Sequence, residues 1–117
     1  PLFDGLLADL MSLSKGKCNA IDIVKNYNDT GIERVLDALE LVISTTLLAI
    51  FQQSPSNLKL SKASSEKIVY LSGRYNEVKL FELGDLIKTS RKLLLRSQGV
   101  RAQDIIDEIF ISFMVRE

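Results

Sequence analysis

The chain has 117 residues, 46% of them hydrophobic and 26% charged, which is the size and balance of one soluble globular domain. Its 15 basic and 15 acidic side chains cancel, so no global field favours nucleic acid, a membrane or an acidic substrate. With no His and the single Cys18, the composition excludes a His-based catalytic triad, a conventional zinc site and an internal disulfide. A chain without disulfides is compatible with a reducing cytoplasm.

The opening stretch predicts a helix over Leu2 to Leu13, with Leu2, Phe3, Leu6, Leu7, Leu10 and Leu13 on one face and Asp4 and Asp9 away from it. Those two acids interrupt the apolar run, so it does not read as a signal peptide. Because a helix is already under way at Leu2, directly after Pro1, the chain is expected to be a domain excised from a longer protein. Gly16, between Lys15 and Lys17, is the expected stop. Asn19 then caps a short helix through Tyr27, with Ile21, Val24 and Tyr27 facing inward. The turn formers from Asn26 to Gly31 follow, and Asp29 or Thr30 is expected to cap the next helix, Thr30 and Glu33 having capping-box spacing.

The element that organises the rest is a long helix from about Gly31 to Gln53. Ile32, Val35, Leu36, Leu39, Val42, Ile43, Leu47 and Ile50 repeat at the three-and-four spacing of a face turned to a core. A second line, Leu41, Leu48 and Phe51, runs along another side, interrupted by Thr45. Two stripes mean a helix covered on both sides, either by its own bundle or by a partner chain. The uncharged run from Leu41 to Phe51 is only 11 residues, against the roughly 20 a membrane span needs, so insertion is excluded.

Gln52 to Leu60, with Pro55, is a loop. Ser61 to Gly73 predicts a helix capped by Ser61 or Ser64, stopped by Gly73, with Ile68, Val69 and Leu71 available for packing. A further helix runs from Asn76 to about Ser97 with Val78, Leu80, Phe81, Leu83, Leu86, Ile87, Leu93, Leu94 and Leu95, and Gly84 within it allows a kink or a close helix contact. Gly99 ends it. The last helix, from Ala102 to about Val115, turns Ile105, Ile106, Ile109, Phe110, Phe113 and Met114 inward and leaves Ile111 and Val115 off that stripe. Alternation of the strand type is absent, so the expected class is all-α, a bundle of five or six helices around a long central helix.

No stretch carries recognisable chemistry. Glycine-rich phosphate loops are missing and nothing marks a Ser–Lys pair. Asp104, Asp107 and Glu108 suit the solvated first turns of a helix better than a metal site. Lys17 beside Cys18 lowers the thiol pKa if the pair is exposed, although a lone Cys is more often a small hydrophobe. Lys88, Arg91, Lys92, Arg96 and Arg101 form a basic stretch, with the first four on one helical face. That face is read as a helix C-terminal complement or a source of partner salt bridges ahead of a phosphate contact, because the helix after it is acidic at its start and otherwise apolar.

The stretch from Arg91 to Val100, followed by Gln103-Asp104-Ile105-Ile106-Asp107-Glu108-Ile109-Phe110-Ile111, resembles the end of the delta-prime subunit family of bacterial DNA polymerase III. There a helix ends in an Asn- or Gly-containing turn, and a Gln leads into a Leu-rich final helix holding an acidic residue. Gln103 and Glu108 take those positions here, and Ala102 stands where a Pro is common. The earlier order, Leu2 to Gly16, Ile21 to Tyr27, then Val35-Leu36-Asp37-Ala38-Leu39, is similar as well. The resemblance implies a non-catalytic, clamp-loader collar-like domain of a cytoplasmic protein, with ATPase-like modules preceding it. Its implied partners are delta and the ATPase subunits of the holoenzyme. DNA would be met only indirectly, and no cofactor or small-molecule substrate is implied. The candidate subunit interface is then Leu41, Leu48, Phe51, Ile111 and Val115, with Lys88, Arg91, Lys92 and Arg96 as candidate phosphate or partner contacts.

Overall fold

A computed structural model describes residues 2–27, 29–52, 61–96 and 101–114. These residues form six α-helices: α1 (Leu2–Ser14), α2 (Ala20–Val24), α3 (Ile32–Gln52), α4 (Lys62–Arg74), α5 (Glu77–Arg96) and α6 (Ala102–Phe113), with a 3-10 turn at Lys25–Tyr27 after α2. Among the described residues there is no strand. The loop expected around Pro55, the stop at Gly99 and the candidate Val115 lie outside the described residues.

Local chemistry accounts for most boundaries. Gly16, at φ +73°, ends α1: its N–H donates to the Leu13 carbonyl, and the Lys17 N–H reaches back to the Ser12 carbonyl, each at 3.1 Å. This pair of bonds satisfies carbonyls the helix end would otherwise leave open, and only glycine adopts that backbone without strain. Asn19 caps α2, its Oδ1 accepting from the Asp22 N–H at 2.9 Å. Ser61 does the same for α4 through the Ser64 N–H at 3.1 Å, and Asn76 for α5 through the Lys79 N–H at 2.8 Å.

Several expectations are corrected. Neither Asp29 nor Thr30 caps α3. The helix begins one residue later, with the Gly31 carbonyl accepting from the Val35 N–H at 3.2 Å, while Thr30 N–H closes the preceding turn on the Tyr27 carbonyl at 3.1 Å. Gly31, at φ +92°, makes that late entry without steric cost. Gly73 does not stop α4, which runs through it to Arg74; the stop comes where Tyr75 leaves helical geometry and turns its ring into the core. Gly84 makes no close contact, since a Cβ there would meet nothing within 4 Å. Ile21 and Val69 face solvent, at 59% and 51% exposure, because Ala20, Ile23 and Val24 on α2 and Ile68 and Leu71 on α4 take the inner positions. Thr45 does not interrupt the second stripe of α3: it is buried, and the small exposed residue between Leu41 and Leu48 is Ser44.

Helix α3 lies at the centre, packed on α1, α4 and α5, while α6 closes the other end against α2 and α5. Val35, Leu36, Leu39, Val42 and Ile43 are buried there, and the Thr46 hydroxyl is satisfied by the Val42 carbonyl at 2.7 Å. Tyr27 stacks on Phe110 with ring centroids 5.7 Å apart, and Tyr75 meets Phe113 edge-on at 5.9 Å. Each fully buried aliphatic side chain contributes roughly 1.5–3 kcal/mol.

Polar ties between helices set how they sit. Ser64 Oγ on α4 donates to Asp4 Oδ1 on α1 at 2.6 Å, and Arg74 Nη2 donates to the Ser14 carbonyl at 2.9 Å. The Tyr75 hydroxyl donates to the Phe113 carbonyl, and the Tyr27 hydroxyl donates to the Asp9 carboxylate. Lys15 Nζ sits 4.8 Å from the Tyr70 ring centroid, bringing the end of α1 onto α4. Burial raises the pKa of Tyr27 and of Tyr75 above the ordinary tyrosine value near 10; at Tyr27 the bond to Asp9 pushes the same way.

Leu39→Ala is expected to lower the unfolding free energy by about 2–5 kcal/mol in urea titrations, while Leu41→Ala on the same helix changes it by no more than about 0.5 kcal/mol. The tyrosines set the alkaline limit. A phenol with a raised folded-state pKa contributes stability that is complete below the unfolded pKa near 10 and lost as pH rises above it. Stability should therefore fall above about pH 10. Tyr27→Phe should be less stable at neutral pH by about 1–3 kcal/mol and should show a shallower alkaline decline, both readable by circular dichroism.

Candidate subunit interface

The open side of α3 carries Leu41, Leu48 and Phe51, which are 53%, 41% and 56% exposed. The reason is rotational. Seven residues make nearly two turns, so Leu41 and Leu48 stand one above the other, and Phe51 follows three residues on. That places all three opposite Val35, Leu39 and Val42, which the other helices cover. Three large apolar side chains on one ridge form a patch, whereas isolated exposed leucines are ordinary.

A hollow flanks the ridge on each side. One, of about 310 Å³ between α1 and α3, is lined by Leu2, Phe3, Arg34, Asp37, Ala38 and Leu41. The other, of about 180 Å³ between α3 and α5, has Ile43, Ser44, Leu47 and Leu80 along it and Phe81 at its edge. Phe81 is 54% exposed and carries the apolar surface from α3 onto α5. Sequence reasoning did not single it out as an interface residue, although it falls off the Leu80, Leu83, Ile87 line, and that signal identifies it. The α3–α5 hollow is also lined by Glu40, Asp85 and Lys88, so it is mixed, apolar and charged.

Ile111 does not join this ridge. It is 40% exposed and lines a separate hollow beside Arg74, Asn76 and Lys79 at the α4–α5 junction, which no α3 residue lines. The candidate interface residues are thus on two surfaces, with Val115 outside the described residues.

The basic stretch divides as well. Lys88, Lys92 and Arg96 are exposed on α5. Arg91 instead turns onto α3, its Nη2 2.6 Å from Asp37 Oδ1 and its Nε 2.6 Å from Glu40 Oε1. Partial burial acts against the guanidinium charge, but the bonds from Glu40 and Asp37 outweigh it and leave the Arg91 pKa raised. Arg91 therefore acts as a clamp between α3 and α5, so at that position the expected phosphate or partner contact is replaced by an ion pair within the chain. Asp107 accepts from Gln103 Nε2 at 3.0 Å, while Asp104 and Glu108 are exposed. Among the described residues, no group of three or more His, Cys, Asp or Glu is placed to hold a metal ion. Lys17 does not activate Cys18: burial first, then Asp9 and Asp22, push the thiol pKa up and disfavour thiolate. Among the described residues no helix is long and apolar enough to cross a membrane.

No family model, curated protein or solved structure matches the chain.

Because Asp37 and Glu40 keep 72% and 40% of their side-chain surface, the Arg91 clamp is solvent-screened. Arg91→Ala should cost about 1 kcal/mol at low salt, with most of that difference gone in 1 M NaCl. A larger, salt-independent loss in thermal melts would mean that the aliphatic stem of Arg91 matters more than its charge.

Proposed function

We propose that this chain is a non-catalytic assembly module of a replicative clamp loader, a collar-type helical domain that joins a delta-prime-like subunit to delta and the ATPase subunits. In such an assembly the subunits form a ring that loads the sliding clamp during DNA replication. The domain would act in the cytoplasm, as part of the DNA polymerase III holoenzyme, and would meet DNA only through the complex. The observation that carries this reading is the uncovered ridge of Leu41, Leu48 and Phe51 on the central helix. A bundle that buries one stripe of its longest helix and presents the other has the surface of a subunit that packs beside another. The resemblance of the stretches from Arg91 to Val100 and from Gln103 to Ile111 supplies the family in which such packing occurs.

The rival reading is a helical DNA-binding or adaptor domain using the basic face from Lys88 to Arg101. Arg91, in the middle of that face, is held by Asp37 and Glu40, which takes one guanidinium from phosphate, and Glu40 lines the same hollow as Lys88. Phosphate contacts would make affinity fall steeply with salt.

The test is co-elution of the purified domain with clamp-loader subunits in size-exclusion chromatography. The wild-type domain is expected to co-elute, and Leu48→Glu to elute alone while its circular dichroism stays helical. A wild-type domain that co-elutes with none of those subunits ends the clamp-loader reading; salt-sensitive retention on DNA in its place establishes the rival.

A further inference from the structure

The α3 ridge is complementary to itself. Leu41, Ser44, Leu48 and Phe51 follow the alternating three and four steps of a coiled-coil seam, with Leu41 and Leu48 along one edge and Ser44 and Phe51 along the other. All four are exposed. When two such seams run antiparallel, one edge of the first helix meets the other edge of the second. A two-fold axis at the level of Thr46 then sets Leu41 against Phe51 of a second copy and Leu48 against Ser44 of that copy. The sizes fit. Small Ser44 leaves room for the opposing leucine at the centre, and the Leu41–Phe51 pairs close the two ends.

Charge selects the same arrangement. From Leu41 to Phe51 the chain has no charged residue, and this run is centred on Thr46, whereas Glu33, Arg34, Asp37 and Glu40 all lie N-terminal to it. Antiparallel overlap lays the uncharged run on itself and sends the charged turns to opposite ends, beyond the overlap. Parallel pairing would instead face Asp37 with Asp37, and like charges across a seam are unfavourable. Opposed helix dipoles favour the antiparallel order as well. The same seam offered to a helix of arbitrary sequence has neither advantage.

We infer that the α3 ridge is a self-association surface, on which a second copy of this chain docks antiparallel with Leu48 seated over Ser44. This goes beyond the clamp-loader reading and does not depend on it; a neighbouring subunit and a second copy would compete for one ridge. The patch is small for a protein interface, so the dimer forms and dissociates with concentration.

Sedimentation velocity on the 117-residue chain from about 10 to about 300 μM is expected to show the mass rising from one chain to two, with Leu48→Glu staying at one chain throughout. Register is read separately, in a Cys18→Ser background. Mild oxidation of an equimolar mixture of Leu41→Cys and Phe51→Cys chains should yield the mixed disulfide dimer, with little product from Leu41→Cys alone. One-chain mass across the whole range overturns the inference, as does Leu41→Cys linking to itself faster than to Phe51→Cys. A wild-type chain that stays monomeric, yet loses a clamp-loader partner through Leu48→Glu, removes this inference and leaves the assembly reading intact.

Discussion

Burial of one stripe of α3 is the constraint on which the rest of the molecule depends. Val35, Leu36, Leu39, Val42 and Ile43 leave water only because α1, α4 and α5 surround them. Two of those helices, α1 and α4, have 13 residues each, a length at which a helix alone in water is marginal, and the apolar faces of all three need this same stripe. The dependence is mutual, and it has a geometric consequence. Three neighbours cover about half of a cylinder, so the far side of a central helix stays open unless a fourth element closes it. In this chain the sixth helix goes elsewhere, to α2 and α5, and the far side of α3 carries leucine and phenylalanine.

Apolar contact holds the helices together without specifying how each is rotated or shifted. Directional bonds do that. Asp4 with Ser64 and Arg74 with the Ser14 carbonyl tie both ends of α1 to α4, so neither can slide along the other without breaking a bond. Tyr27 with Asp9 brings the turn after α2 back to α1, and Tyr75 with the Phe113 carbonyl anchors the α4–α5 corner to the end of α6. Arg91 reaches from α5 to two carboxylates a turn apart on α3. Each bond is worth little net of solvation, yet a helix out of register would leave these groups partly buried and unpaired, which costs more than the bond contributes. The ties thus act mainly on specificity of packing.

The same rotation of α3 joins structure to function. With Glu40 toward Arg91 and α5, and Val35 and Leu39 toward the core, Leu41 and Leu48 point outward on the same line as the exposed Asp37, which Arg91 reaches over to meet. The clamp made by Arg91 therefore does two things at once. It removes the most central cation of the basic face from the pool free to meet phosphate, and it orients the ridge on which the proposed assembly role rests.

The helical periods of α1, α3 and α6, the caps at Asn19 and Ser61 and the glycine stop at Gly16 were legible in the residue order, because each depends on neighbours within about one turn. So was the existence of a second stripe on α3, since 3.6 residues per turn place Leu41 and Leu48 together whatever surrounds them. Tertiary structure alone decided which stripe is covered, because that depends on where α1, α4 and α5 stop. It also decided that Ile21, Val69 and Phe81 face water, that Ser44 rather than Thr45 lies on the ridge, and that Ile111 belongs to another surface. Local pattern mispredicted Gly73 and Thr30 for a related reason: the ends of α3 and α4 were set by a long-range burial, that of Tyr75, and by the positive φ of Gly31. Arg91 is the clearest division. Its charge was evident from sequence, but its partners lie on α3, more than 50 positions earlier in the chain, and only folding brings them within 2.6 Å.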